Sequence, residues 1–259
     1  YRCYRNSFFA TAPLALNIAL HRRLGTWTNQ VDAFSVMTED QRNLVIEAGL
    51  PAEKVFIKPN FYKHNKKPLP WSQRNGYALY IGRLTEEKGI RHLIKAWLEW
   101  GIEAPSLHII GDGPLKRSLE QDVYQYASGK ITFLGFVSDD EKDKQLSEAN
   151  LLIMPSLEYT ETFGLVLIEA FSHGVPTAVS DVVPLNSVSI NGLTGFTFKP
   201  ANSISLLEKV RTAWNTPGLL EQLGQAAWTE FIEKYTENAN YRVLLNIYSK
   251  AMKVRNCKL

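Results

Sequence analysis

Two cationic side chains follow a short apolar run, inside the segment GRLTEEKG. Glycine lets a ligand come close to the backbone, and arginine and lysine side chains can neutralise a diphosphate. The segment therefore predicts an anion-binding loop whose contact residues are Gly82, Arg83 and Lys88. The alternative is a solvated loop in which Lys88 forms an ion pair with Glu86 or Glu87, as surface charges often do.

A second segment places a glycine at the start of an apolar helical pattern. It reads ETFGLVLIEA and begins at Glu161. The first N–H groups of a helix have no partner within the helix, so they form a ready anion site. The pattern predicts that the backbone amides of Phe163, Gly164 and Leu165, together with Thr162, contact phosphate or sugar oxygens.

Glu169 lies in the second turn of this predicted helix, within an otherwise apolar face. A carboxylate in such a place needs a partner, because burying it alone is costly. A ribose diol would be a suitable partner, since the carboxylate can accept both hydroxyl hydrogens. A local cation or a backbone group would satisfy it equally well, and the sequence leaves these alternatives open.

Two further glycine motifs give weaker signals. Gly111–Pro114 follows a predicted strand but lacks the G-x-G-x-x-G spacing of dinucleotide sites, so we expect a tight strand-to-helix turn. Gly135 precedes Phe136 and Val137, where backbone groups can contact the edge of a base. A phenylalanine at such a position is more often part of the core than stacked on a base.

The other polar residues indicate neither metal nor covalent chemistry. Asp139, Asp140 and Asp143 follow Ser138, as is typical of a helix N-terminus. No P-loop and no G-x-S-x-G motif occurs. We expect no metal site and no resident cofactor, because the five histidines lack metal-ligand spacing. They are His21, His64, His92, His108 and His173.

Six apolar runs predict the strands of a parallel sheet. They are Tyr77–Ile81, Ser106–Gly111, Lys130–Val137, Leu151–Pro155, Pro176–Ser180 and Gly195–Lys199. The helical patterns between them are Ile90–Trp100, Leu115–Tyr126, Asp139–Ala149 and Leu165–Ser172. This alternation predicts an α/β fold, a Rossmann-like parallel sheet covered by helices on both faces. Such sheets bind ligands at the carboxyl ends of their strands, where the motifs above lie.

The rest of the chain predicts three flanking segments. Residues 1–60 show a helix near Pro13–Gly25, a strand near Ala33–Met37, a helix over Thr38–Ala48 and a strand over Lys54–Pro59. Thr38 fits a helix N-cap with Gln41 three residues later. Residues 61–74 contain prolines and lysines without periodicity and predict a linker. The region beyond Ser203 is expected to be helical to its end, with a final helix in residues 236–259.

Composition limits the class of protein. The chain has 259 residues, 45% hydrophobic and 21% charged, as in globular proteins. A net charge of +3 does not predict nucleic-acid binding. Cys3 and Cys257 stand at opposite ends, which suits a reducing compartment. No apolar run approaches the ~20 residues of a membrane span. The chain opens with Tyr1 and shows no signal peptide, so we expect part of a longer protein.

Taken together, the motifs GRLTEEKG, GDGP, LGFV and ETFGLVLIEAFSHGVP resemble a known family. In this order they are similar to the carboxyl-terminal domain of the GT-B, family 4 (group 1) retaining glycosyltransferases. The resemblance covers roughly Tyr77 to Pro200, and Val31–Asn60 resembles the end of that family's first domain. It implies that residues 1–60 are a remnant of the acceptor-side domain and 75–235 the nucleotide-sugar donor-binding domain. Residues 236–259 would return toward the first domain.

The resemblance also implies roles for single residues. Arg83 and Lys88 would neutralise the diphosphate leaving group without a metal ion. Glu161 would contact the donor sugar, and Glu169 the ribose hydroxyls. The other donor-binding residues would be Gly82, Phe136, Val137, Thr162, Phe163, Gly164 and Leu165, with the base expected to be that of UDP first and GDP second.

One stretch departs from the family pattern. Many relatives carry a glycine pair and a glutamate before a G-x-x-G turn, whereas Asp181–Ser187 precedes Gly192 and Gly195 here. The departure slightly favours an alternative function, a non-catalytic nucleotide-sugar-binding module that acts as an interaction or regulatory partner. A phosphorylase or an epimerase on the same scaffold would need cofactor or histidine features that the sequence lacks.

The partners and the location follow from the same resemblance. It implies a nucleotide-sugar donor and a saccharide or lipid-linked acceptor, in cytoplasmic polysaccharide or glycolipid biosynthesis. Basic residues also flank the apolar stretch Phe8–Leu20, namely Arg2, Arg5, Arg22 and Arg23. This pattern is compatible with peripheral association at the inner face of a membrane, although an ordinary packed helix is the alternative.

Overall fold

The computed structural model describes residues 7–126, 129–157 and 161–256. These residues form two compact units, one with the chain up to Lys58 and from Tyr241 onward, the other with Pro59–Asn240. Each unit has a parallel sheet of its own. The two cysteines, together with Arg2 and Arg5, lie outside the described residues.

The smaller unit pairs two short parallel strands. Its elements in chain order are α1 (Phe8–Arg23), β1 (Phe34–Val36), α2 (Glu39–Glu47) and β2 (Val55–Ile57). Helix α1 begins five residues before the predicted Pro13, because the Ser7 hydroxyl accepts the N–H of Ala10 and caps it. Thr38 caps α2 as predicted, with its hydroxyl 3.3 Å from the N–H of Gln41.

Helix α1 has an unusual surface for a helix of this length. It has no buried residue, and its apolar side chains point to water along much of its length. Phe9 and Leu16 are among the most exposed of them. Within the described residues, no helix combines the length and the apolar character that crossing a membrane requires.

The larger unit alternates strands and helices as predicted. Its elements are β3 (Tyr77–Ile81), α3 (Ile90–Trp100), β4 (Ser106–Ile110), α4 (Lys116–Tyr126), β5 (Ile131–Gly135), α5 (Asp139–Glu148), β6 (Leu151–Met154), α6 (Leu165–Ser172), β7 (Thr177–Ser180), α7 (Leu185–Val188) and β8 (Gly195–Phe198). They are followed by α8 (Ser203–Asn215) and α9 (Leu219–Glu230). The final helix, α10 (Glu237–Asn256), begins in this unit and belongs to the smaller unit from Tyr241 onward. The predicted strands and helices are confirmed to within two residues at each end.

The six strands of this unit form one parallel sheet in the order β5-β4-β3-β6-β7-β8. Tyr77 pairs with Ser106 on one side of β3, and Ala78 pairs with Leu151 on the other. Strands β4 and β5 are thus added on one side of β3, and β6, β7 and β8 are then added on the other side. The carboxyl ends of β3 and β6 therefore flank the switch point, where open α/β sheets bind ligands.

Both faces of this sheet are buried under helices. Ala78 and Tyr80 of β3 belong to a buried cluster that includes Trp97 of α3 and Val210 of α8. The intervening Leu79 is equally buried on the opposite face, since successive side chains of a strand alternate in direction. The predicted Rossmann-like sheet with helices on both faces is therefore confirmed.

The larger unit begins and ends at the same place. The side-chain amide of Asn240 donates to the carbonyl oxygen of Pro59 over 2.5 Å, and the N–H of Tyr62 donates to the carbonyl oxygen of Tyr235 over 3.0 Å. The segment predicted as a linker, 61–74, packs on this unit. Its Arg74 donates 2.7 Å hydrogen bonds to the carbonyl oxygens of Ala149 and His173.

Candidate functional site

A cavity of about 250 Å³ lies at the switch point between β3 and β6. One wall comes from the loop after β3 and the other from the segment that opens α6. Eight of the eleven predicted site residues line it: Gly82, Arg83, Lys88, Glu161, Thr162, Phe163, Gly164 and Leu165. Two motifs separated by more than seventy residues of sequence therefore meet in one cleft because their strands are neighbours in the sheet.

Lys88 and Glu161 form an ion pair across this cavity, and both side chains are largely buried. The hydroxyl of Ser156 donates to the same carboxylate over 3.5 Å. The alternative in which Lys88 pairs with Glu86 or Glu87 is therefore wrong. The cationic residue that the β3 loop contributes is held by the opposite wall instead.

Arg83 occupies a different environment in the same loop. Its side chain is 75% exposed, and its Nη2 lies 3.8 Å from the carboxylate of Glu87. An exposed pair at this distance contributes little to stability, so the guanidinium is able to turn toward a ligand. The β3 loop thus offers two cations to a ligand. Lys88 is held in place by Glu161, whereas Arg83 is free to reorient.

Close backbone packing ties the two walls together. Gly89 has a left-handed backbone with φ +66°, and a Cβ there would collide with the carbonyl oxygen of Pro155. Next to this contact, the N–H of Leu157 donates to the carbonyl oxygen of Glu87 over 2.9 Å. Gly89, the last residue of the GRLTEEKG segment, is therefore needed to bring the β3 and β6 ends into contact.

The N-terminus of α6 opens into the cavity. Gly164 is the N-cap with φ +79°, and none of the described side chains caps the helix. Phe163 is buried and its ring packs against that of Tyr235, with 6.0 Å between centroids, so its backbone rather than its ring is available to a ligand. The helix dipole and first-turn amides make this end of the cavity attractive to anions.

Glu169 lies outside the cavity lining, one turn further along α6. Its Oε2 is 3.1 Å from Nζ of Lys142 on α5. The local cation left open by the sequence is therefore present. Burial raises the pKa of Glu169, and the nearby Lys142 opposes that rise only in part. Sequence reasoning missed Lys142, because nothing in the helical pattern of α5 marks it as the partner of a residue on α6.

Phe136 and Val137 follow β5 and also lie outside the cavity lining. Phe136 is 90% exposed, so the expectation that a phenylalanine here belongs to the core is wrong. Gly135 ends the strand with φ +68°, and its carbonyl oxygen accepts the N–H of Gly111 over 2.8 Å. The ring is therefore presented to solvent at the carboxyl end of the sheet.

The remaining motifs have the local structures that were predicted. The Gly111–Pro114 segment is a tight turn, in which the N–H of Leu84 donates to the carbonyl oxygen of Asp112 over 2.9 Å. Ser138 caps α5, accepting the N–H of Glu141 over 3.3 Å. In the stretch that departs from the family pattern, Leu185 packs against Gly164 at the start of α6.

These features define a class of protein: a doubly wound α/β unit with a cationic cleft at its switch point. The family model of glycosyl transferases group 1 matches residues 62–229. The chain therefore belongs to the group 1 glycosyl transferases.

Individual relatives agree with this family. An uncharacterized glycosyltransferase of Methanocaldococcus jannaschii is 33% identical over 183 residues, 68% of this chain and 45% of the relative. The sulfoquinovosyl transferase of Arabidopsis thaliana is 32% identical over 164 residues, 61% of this chain and 30% of the relative. The chain thus spans less than half the length of these relatives.

The fold also has counterparts among solved structures. Anabaena HepE in complex with UDP and glucose superposes with a TM-score of 0.71 at 19% identity, over 85% of this chain and 64% of HepE. A likeness at this level of identity shows the fold alone. It agrees with the GT-B architecture.

Proposed function

We propose that this chain carries the nucleotide-sugar-binding half of a family 4 retaining glycosyltransferase. The protein moves a sugar from a nucleoside diphosphate to a saccharide or lipid-linked acceptor in polysaccharide or glycolipid biosynthesis. The observation that supports this most strongly is the convergence of Lys88, Glu161 and the N-terminus of α6 on one cavity at the switch point. Each of these groups suits one part of a nucleotide sugar.

The diphosphate occupies the end of the cavity next to α6. Lys88 and the first-turn amides of α6 hold its charge, and Arg83 turns inward from its exposed position to complete the set. As the bond to the sugar breaks, these groups stabilise the negative charge that develops on the leaving diphosphate. They take the place that a divalent cation has in metal-dependent transferases, so we expect transfer without a metal ion.

Glu161 changes partner when the donor binds. In the structure its carboxylate is engaged by Lys88. The arriving diphosphate attracts Lys88, and the freed carboxylate accepts hydroxyl groups of the donor sugar. Pairing the two side chains beforehand keeps both charges satisfied in the empty cavity and sets their positions.

The nucleoside lies beyond the diphosphate, toward the carboxyl ends of β4 and β5. Lys142 moves away from Glu169, whose carboxylate then accepts the ribose hydroxyls. Phe136 and Val137 contact the base. UDP is the favoured nucleotide and GDP the second choice, a preference supported by the structural likeness to HepE, which was solved with UDP. The acceptor-side domain, to which residues 1–60 are assigned, holds the acceptor.

We place this protein in the cytoplasm, with peripheral contact to the inner face of a membrane. The proposal rests on the apolar sequence of α1 and on the basic residues His21, Arg22 and Arg23 in its last turn, since basic residues attract anionic lipids. Sedimentation with anionic liposomes at low salt tests this location. Failure to sediment would remove the membrane contact and leave the donor site unaffected.

A second candidate is a nucleotide-sugar-binding module without catalysis. The observation in its favour is the altered stretch Asp181–Ser187, which reaches the start of α6 through Leu185. Donor hydrolysis by a protein that includes the complete first domain separates the two candidates, because only a catalytic protein releases the sugar.

Calorimetric titration of this chain with UDP, GDP and ADP, in the presence of EDTA, tests the proposal. We expect selective binding of one nucleotide that is weakened by both Arg83→Ala and Glu169→Ala. Lys95→Ala is the matched control, since Lys95 is an exposed lysine on α3 paired with Glu99 and away from the cavity. Equal binding of all three nucleotides, or binding that neither variant weakens, would contradict the donor-site assignment.

A further inference from the structure

Three potential metal ligands meet on the larger unit, outside the cavity described above. His64 comes from the segment before β3, Asp143 from α5 and His173 from the end of α6. One ligand atom from each lies within 4.8 Å of the others. Nε2 of His173 is 3.0 Å, and Nδ1 of His64 is 3.6 Å, from the same Oδ1 of Asp143.

The two histidine side chains of this cluster are buried, whereas Asp143 is partly exposed. The His64 side chain is 6% exposed and that of His173 is 3% exposed, and their rings lie 4.2 Å apart between centroids. Nε2 of His64 is buried and has no hydrogen-bond partner among the described residues. The hydrogen bonds of the protein itself therefore leave this group of side chains incompletely satisfied.

The chemistry of the three side chains suits a divalent transition metal. Two imidazoles and one carboxylate are a common ligand set for zinc and for iron(II), with open positions left for water.

Two nearby cations limit the affinity without blocking the site. Nζ of Lys66 lies 3.1 Å from Oδ2 of Asp143, the oxygen that does not face the histidines, and its side chain is 79% exposed. Arg74 donates to the backbone carbonyl oxygen of His173. Lys66 can move into solvent, or it can stay and orient the carboxylate as outer-shell groups do.

We propose that His64, Asp143 and His173 form a binding site for a divalent transition-metal ion, with Zn²⁺ as its representative. The ion would join the segment before β3 to α5 and α6. It would lie apart from the cavity at the switch point and would have a structural role. The proposal is independent of the donor-site assignment and of whether sugar transfer requires a metal.

Titration of the full chain with Co²⁺ and with Zn²⁺ tests the site directly. We expect the visible absorption of nitrogen- and oxygen-ligated Co²⁺ to saturate at one ion per chain, and Zn²⁺ to abolish that absorption by displacing the cobalt. We also expect Zn²⁺ to raise the midpoint of thermal unfolding, because an ion that binds only the folded state stabilises it.

Variants identify the ligands. His64→Gln, Asp143→Asn and His173→Gln should each lower the Zn²⁺ affinity by roughly a hundredfold or more, since even the loss of outer-shell partners costs about 10–100-fold. His92→Gln is the matched control, because His92 belongs to no such cluster among the described residues. Circular dichroism checks that each variant folds.

Two outcomes would overturn the proposal. One is the absence of a saturable Co²⁺ spectrum with the native chain, a result that does not depend on any variant folding. The other is a spectrum that His64→Gln and His173→Gln leave unchanged or that His92→Gln removes, because the ion would then bind elsewhere.

Discussion

Two lysine–glutamate pairs lie along helix α6, and they have different surroundings. Lys88 and Glu161 meet just before the helix, within the lining of the cavity. Lys142 and Glu169 meet one turn into it, outside that lining, at a distance of 3.1 Å. The side chains of both pairs are largely buried, so burial alone does not distinguish them.

The neighbours of each pair account for the difference. The first pair faces an open cavity and a helix N-terminus, both of which favour an incoming anion. The second pair lies near Tyr62, whose pKa is raised by burial and by the charge of Glu169. Only the first pair lines the cavity, whereas the second joins α5 to α6 outside that lining. Under the proposed function both glutamates exchange lysine for a hydroxyl of the donor, but only the loss of the second pair should also separate α5 from α6.

The largest effect is expected for Lys88→Ala. The change removes the fixed cation and leaves Glu161 to repel the diphosphate. UDP affinity should fall by about 2 kcal/mol, or roughly thirtyfold, as for hydrogen bonds to charged groups. Isothermal calorimetry measures it, with Lys88→Arg expected to retain most of the binding. An unchanged affinity for UDP would show that the pair is structural.

Substitution of the two glutamates is expected to affect the binding of UDP and of UDP-glucose differently. Glu161→Gln frees Lys88, so UDP binding should stay nearly unchanged, while binding of UDP-glucose falls by about tenfold through the lost contacts to the sugar. Glu169→Gln should weaken both ligands equally, because the ribose is common to them. The same response to both substitutions would remove the distinction between the pairs.

Lys142→Met tests whether the second pair contributes to stability. The change leaves Glu169 buried without its cation, which should lower the free energy of unfolding by about 1 kcal/mol after allowance for partial exposure. Urea unfolding measures the loss. Lys95→Met is the control, since Lys95 and Glu99 form an exposed pair at 3.9 Å and should contribute almost nothing. Equal losses would contradict the assigned role.

The smallest effect is a pH dependence specific to Glu169. Its pKa is raised above the ordinary 4.5, so the folded protein binds more protons than the unfolded chain just above that pH. The free energy of unfolding therefore receives a contribution that falls as the pH rises from 4.5 through the raised pKa. Glu169→Gln should lack this fall. If the free energy of unfolding of the native protein, minus that of Glu169→Gln, rises with pH over this range, the prediction is wrong.

The sequence predicted the elements well, and the errors have local causes. Strand β5 was expected to run to Val137 but ends at Gly135, whose positive φ leaves the extended conformation. Strand β6 ends before the predicted Pro155, which has no N–H to offer a ladder. Local conformational preferences therefore decide boundaries that hydrophobic periodicity leaves open.

The candidate site was predictable where glycines and charges follow strands, and much less so elsewhere. Lys88 and Glu161 lie close together because β3 and β6 are neighbours in the sheet. The alternation of strands and helices in the sequence does not reveal that order. The proximity of Lys142 to Glu169, and of His64 to His173, depends on helix packing and on the course of the segment before β3. Metal-ligand spacing detects ligands within one segment only, so it could not bring these histidines together.

The hydrogen bond between Asn240 and Pro59 holds the two ends of the larger unit next to each other. The first and last residues of this unit are hydrogen-bonded to each other. A unit with adjacent ends can be inserted into a loop of another protein without distorting the backbone of either. Residues 59–240 can therefore be exchanged as a unit between relatives, with helix α10 (Glu237–Asn256) kept continuous across the second junction. The same closure predicts that joining the two ends and opening a surface loop elsewhere would give a circular permutant that folds.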